Sequence, residues 1–327
     1  MSKLEELIQK LCPNGVEYKR FDEACTLNAR IGWQRLTKAE YKSSGEYLLI
    51  TGTDFTSSYE VNYSSCVYVS EERYLQDKKI QIKNGDVLIT KDGTLGKVAQ
   101  VSDLSMPATL NGGVFVVRPK DELLLPRYIM YFLLSGHFQK VVDQQKTGST
   151  ISHLTQALFS RLQLPVPPLE VQREIVRVLD SFTLLTAELT AELTARKKQY
   201  SFYRDTLIQK ECKSEKVKLN TVCEIYDGTH QTPKYTNGGI PFVSVENIDD
   251  LYGTQKFIST EAYAKYKIKP RIGDVFMTRI TAGIIGKCTV VERNDDLAYY
   301  VSLALLRPNA DILDSKYLKY YLESGWG

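Results

Sequence analysis

Cations, an aromatic ring and an amide are interleaved over Arg30-Ile31-Gly32-Trp33-Gln34-Arg35-Leu36-Thr37-Lys38. Such a set can hold phosphates with its charges while Trp33 and Gln34 reach toward base edges. Lys91-Asp92-Gly93-Thr94-Leu95-Gly96-Lys97 is a second basic loop, with small residues that let the backbone approach a ligand closely. A matching loop, Arg279-Ile280-Thr281-Ala282-Gly283-Ile284-Ile285-Gly286-Lys287, lies near the far end of the chain. The candidate nucleic-acid contacts are therefore Arg30, Trp33, Gln34, Arg35, Lys38, Lys91, Thr94, Lys97, Arg279, Thr281 and Lys287. For any one of the cations, a solvated surface role is an equal alternative. Thr147 and Ser149, in Thr147-Gly148-Ser149-Thr150, can cap a following turn or present backbone N–H groups to a phosphate, and the cap is the simpler reading.

Other chemistries find no support. No Asn/Asp-Pro-Pro-aromatic turn of an adenine methyltransferase is present, because Pro165-Val166-Pro167-Pro168-Leu169 has neither the polar residue nor the aromatic. Neither a phosphate-binding G-x-x-x-x-G-K-[ST] nor a G-x-G-x-x-G at a strand–helix junction occurs. Asp86, Asp92 and Asp274 lie near strand ends as a metal-dependent nuclease would need, but each Gly-Asp precedes its strand and reads as a turn. His137, His153 and His230 are isolated, with no activated Ser or Cys to serve. Six scattered cysteines without a C-x-x-C pair suggest reduced thiols, mostly in cores, and no zinc site.

A chain of 327 residues, 43% hydrophobic and 25% charged, can bury two cores. No apolar run approaches a membrane span, and the polar start MSKLEELIQK lacks the plan of a signal peptide, so a soluble, cytoplasmic protein is expected. Net charge +3 is compatible with DNA as a partner and does not by itself argue for it.

The elements that must position these residues occur twice. Asn84-Gly85-Asp86-Val87-Leu88-Ile89-Thr90 matches Ile272-Gly273-Asp274-Val275-Phe276-Met277-Thr278. Gly96-Lys97 then matches Gly286-Lys287, Arg118-Pro119 matches Arg307-Pro308, and Arg127-Tyr128 matches Lys316-Tyr317. Each copy reads as a Gly-Asp turn, a short apolar strand, a glycine-containing polar loop and further strands ending at Arg-Pro. An amphipathic helix follows, near 126–142 in the first copy and 315–323 in the second. Two domains of one mixed α/β fold are expected, over residues 1–164 and 215–327.

Between them, after Pro165 to Pro168, Ile175, Leu179, Phe182, Leu189, Leu193, Tyr200, Tyr203 and Leu207 fall into alternating steps of four and three, with Thr186 and Arg196 filling the gaps. This predicts a coiled-coil-type helix within residues 165–214, extending about 48 Å from Ile175 to Leu207 at roughly 1.5 Å per residue. A spacer between the domains, packing against the chain's own domains and self-association all remain open for this seam. Within these 327 residues the second copy has no such helix after it.

In order along the chain, several of these motifs resemble the specificity subunits of type I restriction-modification systems. They include Gly32-Trp33-Gln34 with Tyr47 to Phe55, the Gly-Asp-Val strand followed by Gly93 to Lys97, and Thr147 to Thr150 leading to Pro165-Val166-Pro167-Pro168-Leu169-Glu170-Val171-Gln172. In the second copy, Asp227-Gly228-Thr229-His230-Gln231-Thr232-Pro233-Lys234-Tyr235 is similar to the opening of another target-recognition domain, adding His230 and Lys234 as candidate contacts. The resemblance implies an α+β chain of two repeated target-recognition domains, the second incomplete, joined by the long helix. It also implies recognition of a bipartite double-stranded DNA site, with partner modification (methyltransferase) and, through the complex, restriction subunits. On that reading the chain is no enzyme and holds no cofactor, while S-adenosylmethionine, ATP and magnesium belong to the partners. The alternative from another class is a coiled-coil scaffold or partner-dependent fragment without sequence readout of its own; an enzyme with an unfamiliar site is a third.

Overall fold

The computed structural model describes residues 2–32, 35–146, 153–211, 217–281 and 283–324. The chain divides into two compact units, Met1–Thr190 and Ala191–Gly327.

In the first unit the order is α1 (Lys3–Leu11), β1 (Tyr18–Arg20), α2 (Phe21–Ala24), β2 (Cys25–Asn28), β3 (Tyr47–Ile50), β4 (Val67–Val69), α3 (Glu71–Leu75), β5 (Val87–Thr90), β6 (Val98–Gln100), β7 (Ala108–Leu110) and β8 (Val114–Pro119). Then come α4 (Pro126–Leu134), α5 (Gly136–Lys146), α6 (Gln156–Phe159), β9 (Gln163–Pro165) and α7 (Leu169–Glu211), which runs on into the second unit. The second unit adds α8 (Leu219–Val222), β10 (Cys223–Asp227), β11 (Ile240–Val243), β12 (Phe257–Ile258), α9 (Thr260–Tyr263), β13 (Val275–Thr278), β14 (Cys288–Val290), β15 (Ala298–Tyr299), β16 (Leu303–Pro308) and α10 (Ser315–Leu322).

The repeat read from the sequence is a repeat of topology. One four-stranded antiparallel sheet runs β2-β8-β5-β6 and its counterpart β10-β16-β13-β14; a three-stranded sheet runs β4-β3-β7 and its counterpart β12-β11-β15. Register agrees as well, with Val87 opposite Val117 in one unit and Val275 opposite Leu306 in the other. In each three-stranded sheet the pair made with the last strand is parallel. The central strands β5 and β8 are buried on both faces along Val87–Thr90 and Val114–Val117, which explains their unbroken Val, Leu and Ile content in place of alternation.

The helix expected near 126–142 is two helices. Ser135 adopts an extended backbone (φ −64°, ψ 148°) that ends α4, and its Oγ accepts the N–H of Phe138 at 3.3 Å to cap α5. Pro126 opens α4 at a position where its missing N–H costs nothing. The long helix forms as expected after Pro168. Its first turns are fastened to the first unit by buried Gln172, whose Nε2 donates to the carbonyls of Leu123 (2.7 Å) and Pro167 (2.8 Å) and whose Oε1 accepts from Leu125 N–H. Ile175 and Val176 pack on the first unit's core, whereas Phe182, Leu189, Leu193, Tyr200, Tyr203 and Leu207 are all more than half exposed. Five cysteines, Cys12, Cys25, Cys66, Cys223 and Cys288, are free and buried; burial pushes the thiols of Cys25, Cys66 and Cys288 up to about 12.

Candidate nucleic-acid interface

Both basic loops leave the end of a central strand and are tied there in the same way. Thr90, at the end of β5, is buried; its hydroxyl donates to the carbonyl of Thr94 and accepts the N–H of Lys97 at 2.9 Å. Thr278, at the end of β13, does the same with the carbonyl of Ile284 and the N–H of Lys287 (3.1 Å). One buried hydroxyl thus closes each loop on itself at the backbone of a lysine, exposed in the case of Lys97 and half-buried in the case of Lys287. Gly93 and Gly96 (φ 71° and 77°) and Gly283 and Gly286 (φ 86° and 84°) supply left-handed backbone where other residues would be strained.

The frame beneath the loops is also duplicated. Asp86 is held by a two-pronged contact from Arg118 (Nε to Oδ1 and Nη2 to Oδ2, both 2.6 Å), and Asp274 by Arg307 (2.8 and 2.7 Å). Each carboxylate also accepts a backbone N–H three residues back, from Lys83 or Arg271. Asp274 raises the pKa of Arg307 above its ordinary value. These aspartates, buried and consumed by arginine, fix the turn before the strand, and no group of three or more His, Cys, Asp or Glu positioned for a metal occurs among the described residues. Repetition of both the Gly-Asp and the Arg-Pro in the two copies was the sequence signal for this pairing.

Around the first loop, the Asn111-Gly112-Gly113 turn gathers the neighbouring segments. Lys91 N–H donates to Gly113 O at 2.8 Å, and a Cβ added to Gly112 would lie 3.9 Å from Arg35 Cγ. Leu154 N–H donates to Lys91 O (3.0 Å), and His153 Nδ1 meets Asp92 Oδ1 at 2.5 Å, so this histidine is partnered at the same loop. Arg35 and Lys38 are exposed, as are Thr94 and Lys97; Lys91 lies with Nζ 5.3 Å from the centre of the Phe115 ring. Trp33, Gln34, Thr147 and Ser149 lie outside the described residues.

Arg30 requires a correction. Expected as a DNA contact, it is 1% exposed, with Nε donating to Leu110 O, Nη1 to Gln76 Oε1 (2.7 Å), and Nη2 to Arg73 O and Thr109 Oγ1. The guanidinium stitches β7 to α3, and burial lowers its pKa from the ordinary value. A linear reading sees a cation among loop residues and cannot see the carbonyls that close over it.

In the second unit the equivalent place is bounded by Asp227-Gly228-Thr229 and the Tyr299-Tyr300-Val301 turn. These run so close that a Cβ on Gly228 would stand 2.4 Å from the Tyr300 carbonyl carbon. Thr229 N–H donates to Tyr299 O, Val301 N–H to Thr229 O, and Arg279 N–H to Ser302 O. His230, Lys234 and Thr281 are exposed. Here the cations are partnered: Arg279 forms an ion pair with Asp227, and Lys287 Nζ one with Asp249 at 2.6 Å. Neither acid was anticipated, since Asp249 comes from a segment 38 residues away from its lysine.

A chain that builds one fold twice and presents a basic glycine-bearing loop at the same strand end of each copy can now be set against known proteins. The family model described as the type I restriction modification DNA specificity domain matches residues 13–196. The chain belongs to this family. A Haemophilus influenzae protein assigned as a type I restriction enzyme specificity subunit is 28% identical over 260 residues, covering 74% of this chain and 64% of that protein. The EcoR124I/EcoR124II specificity subunit of Escherichia coli is 31% identical over 149 residues, covering 44% of this chain and 37% of the subunit. The chain thus spans less than two thirds of these relatives. A chain solved in work on complex assembly and conformational transition of the type I R-M system is similar in fold, with a TM-score of 0.58 at 21% identity, over 95% of this specificity-domain chain and 80% of the other.

Proposed function

We propose that this chain is the address-reading subunit of a type I restriction-modification complex. Its two units each read part of a bipartite double-stranded DNA site and direct partner modification and restriction subunits there. The observation that carries the reading is the duplicated loop: a buried threonine at the end of a central strand closes each one at the backbone N–H of a lysine, Lys97 in one unit and Lys287 in the other. Cations at such positions hold phosphates and fix register, while neighbouring polar side chains meet base edges. Arg35, Lys38, Lys91, Thr94 and Lys97 in the first unit, and His230, Lys234, Arg279, Thr281 and Lys287 in the second, are the contacts assigned among the described residues; Trp33, Gln34, Thr147 and Ser149 complete the set. The chemistry of methyl transfer and cleavage belongs, on this reading, to the partners, with S-adenosylmethionine, ATP and magnesium.

The test is selection of bound sequences from a random duplex pool by the chain co-expressed with its cognate modification subunit, at near-physiological salt. A bipartite motif with a fixed gap is expected. A stable complex that enriches no sequence overturns the proposal in favour of a coiled-coil scaffold.

A further inference from the structure

The first basic loop, Lys91-Asp92-Gly93-Thr94-Leu95-Gly96-Lys97, carries one acid, Asp92. A carboxylate between two cations opposes the approach of a phosphate, yet Asp92 is held in place from two sides. A Cβ added to Gly113 would stand 3.6 Å from Asp92 Cβ, so the Asn111-Gly112-Gly113 turn backs the residue, and its Oδ1 meets His153 Nδ1 at 2.5 Å. His153 is anchored in turn by its neighbour: Leu154 is buried in the first unit's core, and its N–H donates to Lys91 O at 3.0 Å. The two partners are 61 residues apart, which hid the pair from a linear reading.

A carboxylate only accepts hydrogen bonds, so the Nδ1 that faces it carries the proton. In a neutral imidazole the other nitrogen, Nε2, is then an acceptor, and no described residue bonds it. The His153 side chain is 48% exposed beside the loop assigned to DNA. One acceptor atom of fixed tautomer is therefore open to a ligand there.

This pair is not part of the duplicated frame. Asp86–Arg118 and Thr90 recur as Asp274–Arg307 and Thr278, but the residue after Arg279 in the second loop is Ile280, 51% exposed. The fold does not need an acid at this position. A loop feature that one unit has and the other lacks is where two units of one fold can differ in the base they accept.

We infer that His153 is a specificity-determining residue of the first unit and that Asp92 is its positioning residue. Nε2 accepts a hydrogen bond from a base whose major-groove edge donates, adenine through N6 or cytosine through N4. The inference rests on the reading of the chain as a DNA-recognition subunit.

The test is selection from a random duplex pool at pH 8, where an imidazole is ordinarily neutral, by the full chain co-expressed with its modification subunit. His153→Asn places an amide where Nδ1 stands and keeps the bond to Asp92, but it has nothing in place of Nε2. Preference at a single adenine or cytosine should fall from about tenfold to within about twofold. All other positions and the salt dependence should be unchanged, which also shows that the variant is folded. Asp92→Asn still bonds Nδ1 but no longer requires a proton on it, and should lower the same preference about threefold. Removing the amino group at that position, with purine for adenine or 2-pyrimidinone for cytosine, should weaken binding by the unaltered chain about tenfold and by His153→Asn less than twofold. An unaltered chain that enriches no sequence overturns the DNA-reading proposal and this inference with it. An enriched motif that His153→Asn leaves intact, a loss spread evenly over all positions, or equal sensitivity of both proteins to the missing amino group overturns the inference alone.

Discussion

The two units share a sheet order, a buried Asp–Arg pair and a threonine-closed loop, yet they present their loop cations differently. In the first, Lys97 is exposed and Lys91 lies against the Phe115 ring; in the second, Arg279 and Lys287 are matched by Asp227 and Asp249. A duplicated frame therefore fixes where a cation emerges and leaves its availability to residues outside the frame. On the proposed reading, a phosphate reaching the second loop would displace a carboxylate from each cation, whereas no acid among the described residues is ion-paired with Lys91 or Lys97 at the first. Surface pairs of this kind are worth about 0–1 kcal/mol each, so they tune binding without forbidding it.

Removing the shared frame should produce the largest effect. Asp86→Ala and Asp274→Ala each leave a partly buried guanidinium without its carboxylate, at a cost approaching the ~3–5 kcal/mol of a fully buried pair. Asp274 and Arg307 are the more enclosed pair, with side chains 1% and 13% exposed against 6% and 24% for Asp86 and Arg118. Hydrogen exchange should accordingly report unfolding confined to the altered unit and more complete for Asp274→Ala; equal or reversed losses would mean that enclosure does not set the worth of the two pairs.

Loop geometry separates the units next. Gly96→Ala strains a left-handed residue and pushes a Cβ to within 2.9 Å of Val142 Cγ1, while the same change at Gly286 meets only the backbone strain. Thermal unfolding should register about 1 kcal/mol for Gly286→Ala and roughly twice that for Gly96→Ala.

Binding to random-sequence duplex DNA sharpens the electrostatic contrast. Lys91→Met with Lys97→Met should weaken binding about tenfold and flatten the dependence of log K on log salt by about 1.8, near 0.9 per lost phosphate contact. The smallest effect, and the one of opposite sign, belongs to the second unit: Asp227→Asn with Asp249→Asn frees two cations and should tighten binding about threefold while steepening the slope. Asp250→Asn, beside Asp249, is the control for loss of charge alone. Equal responses to the control and to the paired acids would remove the contrast between the units.

Much of this was legible along the chain. The four-three spacing from Ile175 to Leu207 specified a long helix because periodicity is a local property, and its start was set by Pro165 to Pro168, which cannot continue a helix backward. The two domains showed as repeated Gly-Asp and Arg-Pro motifs because each copy must rebuild the same turn and the same ion pair. The division of the expected helix at Ser135 was written in Ser135-Gly136, but a helical hydrophobic pattern continuing on both sides concealed it.

Local order and internal repetition were thus determined by the sequence itself: which segments are strands, where the long helix begins, and that one loop occurs twice. Tertiary structure decided what each charge is for. Arg30 sits in a run of cations and is nevertheless a core residue, because carbonyls from α3 and β7, 43 and 80 residues away, converge on it. Lys97 and Lys287 hold equivalent places in the repeat, and among the described residues the arrival of Asp249 from another segment gives Lys287 an acidic partner that Lys97 does not have. Burial and charge pairing depend on residues distant along the chain, and it is the folding of the chain that brings them within reach.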